Sequence, residues 1–241
     1  MSEPVPKAIL FDLDDTILEY DVSADRVWRS VVAELADGAA GLDTERFMAA
    51  LVEYRDWYWG DPDRHRRGRL DLVRSRREVV SGTFDLMGLV APALANEIAD
   101  AYSVQRELAV KPFPGAVETL ASVRAKGIRM ALITNGASAG QRGKIQRFGL
   151  EAFFDCILIE GEFGAGKPDE RVYLHAIDQL DTHPSEAWMV GDNLEWEVAT
   201  PQRLGIYSIW VDSRGTGLPE TTNVRPDRII PTLSALMSFL Q

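Results

Sequence analysis

The sequence predicts an α/β fold in which a parallel sheet is interrupted by an inserted helical domain. Short apolar runs alternate with helical stretches after residue 112, and this alternation is typical of βαβ units on a parallel sheet. One strand-like run stands near the start of the chain, and the region after it has helical periodicity alone. A chain of 241 residues has room for between one and two domains, since a domain averages roughly 150 residues.

The first predicted strand is the apolar run KAILFD at residues 7–12, which is too short for a helix. Four further strands are expected at residues 129–134, 155–159, 187–190 and 207–211. Helices are expected around residues 117–126, 140–148, 170–180 and 195–204. Together these elements predict a Rossmann-like parallel sheet core with helices on both faces.

The inserted region, between residues 22 and 108, has apolar side chains at the spacing of amphipathic helices. Glycine and proline breaks divide it into four helices, which predicts an all-helical four-helix cap domain. The expected boundaries are an α/β core at residues 1–18 and 109–241 and a cap at 19–108. Because the first strand precedes the insert, the chain is expected to leave the sheet after Asp12, build the bundle and return.

Composition and charge exclude several classes of protein. The chain is 46% hydrophobic and 26% charged, as globular proteins are, which excludes disordered and collagen-like chains. Its formal net charge of −11 repels nucleic acid and anionic lipid, so neither a nucleic-acid polymer nor a membrane is an expected partner. Residues 1–4 are unlike a secretory leader, and the single cysteine, Cys156, allows no intrachain disulfide. A cytoplasmic protein is expected, and the oligomeric state stays open.

Polar side chains follow each of four predicted strands. Asp12 and Asp14 come after the first strand, and Asp192 follows the fourth. Because the carboxyl ends of parallel strands meet at one edge of a sheet, these carboxylates should crowd together, which requires a cation among them. Oxygen ligands of this kind favour Mg²⁺ over Zn²⁺.

The other two strand ends add a cation and a hydroxyl-amide pair. Thr134 and Asn135 close the second strand, and Lys167 follows the third. Each set alone also fits an ordinary turn, a helix cap or a solvated loop lysine. Their convergence at one edge favours a phosphoryl-transfer site.

The motifs FDLDDT, ITNG, GKPD and VGDNLEWE, in this order and with a helical insert after the first, resemble the haloacid dehalogenase-like superfamily. The resemblance is to its phosphatase branch with a helical cap. It implies that Asp12 attacks phosphorus to form an aspartyl-phosphate intermediate. It also implies that Asp14 protonates the leaving oxygen and afterwards activates the hydrolytic water.

The same resemblance assigns the remaining site residues. Thr134 and the Asn135 backbone would hold the phosphoryl oxygens, and Lys167 would balance the charge around Asp12. Mg²⁺ would be held by Asp12, the carbonyl oxygen of Asp14, and Asp192. The implied substrate is a small phosphorylated metabolite: a sugar phosphate, a nucleoside monophosphate or a phosphoglycolate-like acid.

The fourth motif departs from the pattern of this superfamily. Trp196 and Glu197 stand where helical-capped relatives often have Asn and Asp. Glu197 keeps the negative charge on a longer stem, so contact with the metal through Asp192 or a bound water stays open.

Other functions compete with this interpretation. A 2-haloacid dehalogenase of the same fold is the nearest enzymatic alternative, but such enzymes are not expected to carry the second aspartate, Asp14. A catalytically silent binding protein could use the cap as an interaction surface. Residues 136–140 match the G-x-S-x-G nucleophile elbow around Ser138, and residues 161–167 partly match a phosphate-binding loop that lacks its Ser or Thr.

The predicted cap carries a run of arginines between residues 64 and 77, next to the aromatic residues 57–59. Two interpretations are open. The arginines form a solvated helix face with the aromatic side chains in the bundle core, or one or two of them contact the leaving group of the substrate.

Overall fold

Two units make up the chain in the computed structural model, which describes residues 5–36 and 42–240. One unit comprises Met1–Glu19 and Lys111–Gln241, and the other comprises Tyr20–Val110. The first four residues, on which the expected absence of a leader rests, lie outside the described part of the chain.

A six-stranded parallel sheet forms the centre of the first unit. Its strand order is β5-β4-β1-β6-β7-β8. The strands are β1 (Ala8–Phe11), β4 (Arg129–Thr134), β5 (Cys156–Ile159), β6 (Ala187–Gly191), β7 (Tyr207–Val211) and β8 (Arg228–Ile230). The short strands β2 (Leu18–Glu19) and β3 (Lys111–Pro112) pair antiparallel where the chain leaves this unit and returns to it.

The predicted α/β fold class is confirmed, because helices cover both faces of the parallel sheet. Strand β1 is buried along its whole length, with Ala8 and Leu10 in an apolar cluster on one face. A strand covered on both faces is apolar at every position, which is why a continuous apolar run marked it in the sequence. Strand β8 was not expected, since it is three residues long and its middle residue, Ile229, is 45% exposed.

The register of the sheet brings the polar strand ends together. Phe11, the last residue of β1, pairs with Leu132 of β4 on one side and with Val190 of β6 on the other. The backbone N–H of Asp12 then donates to the carbonyl of Val190 at 3.0 Å. The residues that follow these three central strands therefore emerge at one edge of the sheet.

The second unit contains five α-helices within the described residues, one more than predicted. They are α1 (Ala24–Ala36), α2 (Thr44–Gly60), α3 (Pro62–Leu70), α4 (Leu72–Met87) and α5 (Pro92–Ala109). An aromatic core holds them together: the rings of Trp28 and Tyr102 stack with centroids 3.5 Å apart, and Phe47 meets Phe84 edge-on. None of the helices described is both long and apolar enough to cross a membrane.

Helix α3 is the element that the four-helix prediction omitted. Its sequence, PDRHRRGRL, lacks an apolar stripe, so periodicity could not reveal it. The helix starts because the side chain of Asp61 accepts the N–H of Arg64 and Pro62 occupies the first position. The guanidinium of Arg64 donates to the carbonyls of Trp57 and Tyr58, which ties α3 to the end of α2.

Five shorter helices flank the sheet in the first unit. They are α6 (Ala116–Ala125), α7 (Ser138–Arg147), α8 (Glu160–Phe163), α9 (Glu170–Gln179) and α10 (Thr200–Arg203). The helix expected around residues 195–204 is a π-helical turn at Leu194–Ala199 followed by α10. Pro201 stands at the beginning of α10 and has no N–H to donate. The π-helical turn therefore ends just before this proline.

Candidate active site

A buried lysine lies between two carboxylates at the carboxyl edge of the sheet. The ammonium nitrogen (Nζ) of Lys167 donates to Oδ1 of Asp12 at 2.5 Å and lies 2.7 Å from Oε1 of Glu197. The Lys167 side chain is 1% exposed, so these ion pairs are removed from water. The structure thus brings the first, third and fourth sequence motifs into one charged cluster.

The side chain of Asn135 holds the backbone of Lys167 in place. Its Nδ2 donates to the carbonyl of Lys167 at 2.8 Å, and its Oδ1 accepts the N–H of Lys167 at 2.7 Å. Gly166 makes this approach possible, because a Cβ atom there would lie 2.6 Å from Oδ1 of Asn135 and 2.5 Å from Cδ of Glu160. The second motif therefore positions the lysine of the third.

Glu197 reaches the site from the π-helical turn. Its Oε2 accepts the N–H of Asn193 at 2.8 Å, while Oε1 faces Lys167. A Cβ atom at position 191 would lie 2.0 Å from Cγ of Glu197, so glycine is required where this side chain crosses β6. The sequence left the role of Glu197 open, and the structure shows that it contacts Lys167.

Asp14 is held by two side chains of α7 that lie outside the four sequence motifs. The ammonium of Lys144 lies 2.6 Å from both carboxylate oxygens of Asp14. Nε2 of Gln141 donates to Oδ2 of Asp14 at 3.0 Å and to the hydroxyl of Thr134 at 2.5 Å. A signal was available in the sequence, since residues 141 and 144 share one face of a helix with the apolar Ile145.

Negative charge exceeds positive charge around Lys167. Burial raises the pKa of Asp12, although Lys167 opposes this. Burial, reinforced by the charges of Asp12 and Glu197, raises the pKa of Asp192 well above its ordinary value, and burial raises that of Glu197 to about 7. Burial would lower the pKa of Lys167, but Asp12 and Glu197 outweigh it and the pKa is raised. The ion pairs leave the carboxylates only partly compensated.

The residues present fit a divalent cation bound by oxygen. Oδ2 of Asp12 is buried and has no hydrogen-bond partner among the described residues, and the carboxylate of Asp192 lies in the field of Asp12. No three His, Cys, Asp or Glu side chains of the described chain are grouped to hold a metal by themselves. The predicted Mg²⁺ ligands are not a group of three side chains. Asp14 would bind the ion through its backbone carbonyl oxygen, because its carboxylate contacts Lys144.

The competing motifs have other partners. The hydroxyl of Ser138 donates to Glu162 at 2.7 Å and not to a histidine, as nucleophilic serine catalysis would require. Part of the segment that resembles a phosphate-binding loop forms α8, and its lysine is the one paired with Asp12. The residues of the G-x-S-x-G motif and of the phosphate-binding-loop motif therefore make contacts that serve neither serine catalysis nor nucleotide binding.

Several arginines of the helical unit form surface contacts. Arg74 pairs with Glu78 at 2.8 Å, and Arg77 with Asp100 at 2.6 Å. The guanidinium of Arg64 lies 3.9 Å from the ring centre of Trp57, which is 55% exposed. Arg74 and Arg77 match the interpretation of a solvated helix face. Arg76 of the same run is buried, and the exposed Trp57 departs from the expectation that the aromatic side chains lie in the bundle core.

Fold and site together define an α/β protein with a charged cluster at the carboxyl edge of its parallel sheet. A family model described as haloacid dehalogenase-like hydrolase matches residues 6–205. The chain belongs to this family of hydrolases.

Among curated relatives, the glyceraldehyde 3-phosphate phosphatase of Methanopyrus kandleri is 30% identical over 84% of this chain and 82% of that protein. The phosphoserine phosphatase of Thermus thermophilus is 39% identical over 57% of this chain, and the match spans 54% of that protein.

Solved structures share the fold over nearly the whole chain. A hydrolase of Bacillus subtilis described as bound to magnesium matches with a TM-score of 0.75 at 19% identity, over 99% of this chain and 100% of that one. A 2-haloacid dehalogenase of Pseudomonas syringae matches with a TM-score of 0.61 at 28% identity, over 98% of each chain.

Proposed function

We propose that this chain is a Mg²⁺-dependent phosphatase that hydrolyses a small phosphate monoester through an aspartyl-phosphate intermediate. Family membership and the curated phosphatase relatives make it a phosphoric monoester hydrolase. The observation that carries the mechanism is the buried carboxylate of Asp12, with one oxygen on Lys167 and the other without a hydrogen-bond partner among the described residues. A carboxylate has two oxygens, so one oxygen of Asp12 can attack phosphorus while the other remains paired with a cation.

In the first step, the bond from the Asp12 carboxylate oxygen to phosphorus forms as the ester P–O bond breaks. Asp14 supplies the proton that the leaving oxygen takes up. In the second step, water attacks phosphorus, Asp14 takes the proton of the water, and the bond from phosphorus to Asp12 breaks to release inorganic phosphate. Asp12 and Asp14 are thereby returned to their starting states.

The other site residues bind and neutralise the phosphoryl group. The hydroxyl of Thr134 accepts a hydrogen bond from Gln141, so its own proton is left to donate to a phosphoryl oxygen. Lys167 offsets the charge of Asp12. Mg²⁺, held by Asp12, the carbonyl of Asp14, and Asp192, would supply further charge neutralisation at the transferring group.

The substrate class follows from the relatives together with the site. The two curated relatives act, by their names, on phosphorylated three-carbon metabolites, and a small phosphorylated metabolite is the substrate that we propose here. Sugar phosphates, nucleoside monophosphates and phosphoglycolate-like acids all belong in the test panel.

The test is a panel of phosphate monoesters, including p-nitrophenyl phosphate, assayed with Mg²⁺ and after EDTA treatment. We expect phosphate release that EDTA abolishes, and a fall in kcat of at least about 10³-fold in Asp12→Asn because the nucleophile is removed. Asp178→Asn, at an exposed position on α9, is the matched control and should retain full activity. Mass spectrometry of rapidly quenched enzyme should show one phosphoryl group on Asp12.

Three outcomes would contradict the proposal. Normal turnover by Asp12→Asn would exclude the aspartyl-phosphate mechanism. Chloride release from 2-haloacids without phosphate release from any ester would identify a dehalogenase. No turnover of any panel member while Mg²⁺ is bound would favour a catalytically silent binding protein.

A further inference from the structure

Helix α7 carries two buried polar side chains that no motif of the sequence accounts for. Gln141 is 4% exposed and Lys144 is 5% exposed, although the helix lies on the surface of the unit and much of it is polar. Burying a lysine is costly unless its charge is paired. The arrangement around these two residues therefore calls for a specific explanation.

The ammonium of Lys144 contacts both oxygens of the Asp14 carboxylate at the same distance, 2.6 Å. A single contact would leave the carboxylate free to turn about its Cβ–Cγ bond. Contact with both oxygens restricts that rotation and sets the direction in which the carboxylate points. The Asp14 side chain is 24% exposed, so its contacts with α7 restrain it where packing alone would not.

Gln141 links Asp14 to the strand end that is proposed to bind the phosphoryl group. Its Nε2 lies within hydrogen-bond distance of Oδ2 of Asp14, of the Thr134 hydroxyl and of the Asn135 carbonyl, at 3.0, 2.5 and 2.8 Å. An amide nitrogen has two hydrogens to share among these three acceptors. A displacement of Asp14 relative to Thr134 would break at least one of these bonds.

We propose that Gln141 and Lys144 are positioning residues that hold the carboxyl group of Asp14 in the orientation needed for proton transfer at the ester oxygen. This inference rests on the proposed function, because it takes Asp14 as the acid of the first step. Neither residue contacts the reacting atoms in this role. Orientation of this kind matters because a misplacement of about 1 Å can lower a rate by about 10²-fold.

The alternative is that the pair between Lys144 and Asp14 only stabilises the fold. The two roles differ in how the damage depends on the leaving group. A phenolate such as p-nitrophenolate departs with little help from an acid, whereas an alkoxide needs its proton. A defect in the position of Asp14 should therefore affect alkyl esters selectively, and a loss of folded protein should affect all esters equally.

The decisive experiment compares kcat/KM for p-nitrophenyl phosphate and for an alkyl phosphate that the wild type hydrolyses. This parameter covers substrate capture and the step in which the leaving group departs, and it excludes the later hydrolysis of the intermediate. In Lys144→Met we expect a loss of about 10²-fold on the alkyl ester and of less than about 10-fold on p-nitrophenyl phosphate. Gln141→Leu should show the same selectivity to a smaller degree.

Two controls accompany this comparison. Lys144→Arg restores a cation that can contact both carboxylate oxygens and should recover most of the activity on the alkyl ester. Lys126→Met replaces an exposed lysine at the end of α6 and should leave both rates unchanged. Equal losses on the two esters in Lys144→Met, or no loss on either, would overturn the proposal.

A second measurement keeps the inference separate from the proposed function. Crystal structures of Lys144→Met and of the wild type, without substrate, should show the Asp14 carboxylate rotated away from Thr134 in the variant. An unchanged carboxylate would overturn the positioning role whatever the enzyme hydrolyses. If Asp12→Asn turned over substrate at the wild-type rate, the proposed mechanism would be overturned. The structural result for Asp14 would still stand.

Discussion

Buried positive charge is compensated differently in the two units of this protein. In the α/β unit, Lys167 contacts the carboxylates of Asp12 and Glu197 directly, and the nearby Asp192 adds to an excess of negative charge. In the helical unit, Arg106 is 1% exposed, and its contacts include a hydroxyl group and an aromatic ring. It donates to the hydroxyl of Ser23 at 2.8 Å and lies 4.2 Å from the ring centre of Tyr20.

A second buried arginine in the helical unit shows the same pattern. Arg76 donates to the phenolic oxygen of Tyr20 at 2.9 Å and lies 5.2 Å from the ring centre of Tyr102. Arg106 also forms an ion pair with the carboxylate of Asp21, 3.6 Å away on a side chain that is 61% exposed. A guanidinium is delocalised and weakly hydrated, so aromatic faces and hydroxyls can accommodate it without a full counter-charge.

The difference fits the proposal that the cluster around Lys167 has a chemical role and that the buried arginines have a structural one. Carboxylates crowded around one lysine raise one another's pKa and lower the stability of the fold, so such a group is expected where chemistry or a bound cation requires it. Arginines packed on aromatic rings cost less and contribute to the core. Stability measurements on single variants can test this contrast.

The largest effect is expected for Lys167→Met. The substitution removes the cation that faces Asp12 and Glu197 and leaves buried carboxylates without compensation. Breaking a buried ion pair in this way costs about 3–5 kcal/mol, so the free energy of unfolding at pH 8 should fall by that amount. Urea unfolding of the metal-free protein measures it, and a loss under about 1 kcal/mol would refute the contrast.

A smaller effect, with a defined pH dependence, is expected for Glu197→Gln. The folded protein holds the Glu197 proton up to a pKa of about 7, whereas the ordinary value is 4.5. The unfolded chain therefore loses this proton first as the pH rises, and wild-type stability should decline between pH 4.5 and 7 by up to about 3 kcal/mol. Because glutamine does not titrate, the variant should gain stability relative to the wild type by a similar amount over that interval.

Guanidinium unfolding of both metal-free proteins at several values between pH 4.5 and 8 provides the measurement. Contributions from Asp12 and Asp192 are present in both proteins, so the difference between the two curves reports mainly on residue 197. Parallel curves would show that Glu197 has no raised pKa in the folded protein.

The smallest effect is expected for Arg106→Met. The variant loses the hydrogen bond to Ser23 and the contact with the Tyr20 ring, but it also removes a buried charge whose Nη2 has no hydrogen-bond partner among the described residues. Replacing an incompletely paired buried charge by an apolar side chain of similar length is often close to neutral. We expect a change in unfolding free energy within about 1 kcal/mol.

Arg77→Met provides the exposed comparison in the same unit. Arg77 and Asp100 are each nearly half exposed, and such pairs contribute about 0–1 kcal/mol. Thermal and urea unfolding of both arginine variants should give similar values. If Arg106→Met lowered the free energy of unfolding by more than about 3 kcal/mol, its effect would equal that expected for Lys167→Met. The two units would then not differ in how they compensate buried charge.

The sheet was predictable because its central strands are apolar runs that alternate with helical stretches along the chain. Strand β4 occupies the same residues, 129–134, in prediction and structure. Helix α3 has no such stripe, since the side chain of Asp61 and the guanidinium of Arg64 define its start and position. Strand β8 is too short to carry a pattern and forms only because β7 offers an edge to pair with.

The order of strands and polar residues along the chain was enough to show which side chains gather at the edge of the sheet. Parallel strands end on the same side, so Asp12, Asn135 and Lys167 had to meet once the strands were recognised. Their pairing became visible in the folded chain, because it depends on distances between segments that are remote in the sequence. In the sequence, only the helical spacing from Ile145 distinguishes Gln141 and Lys144, and the packing of α7 against the strand ends buries them and brings them to Asp14.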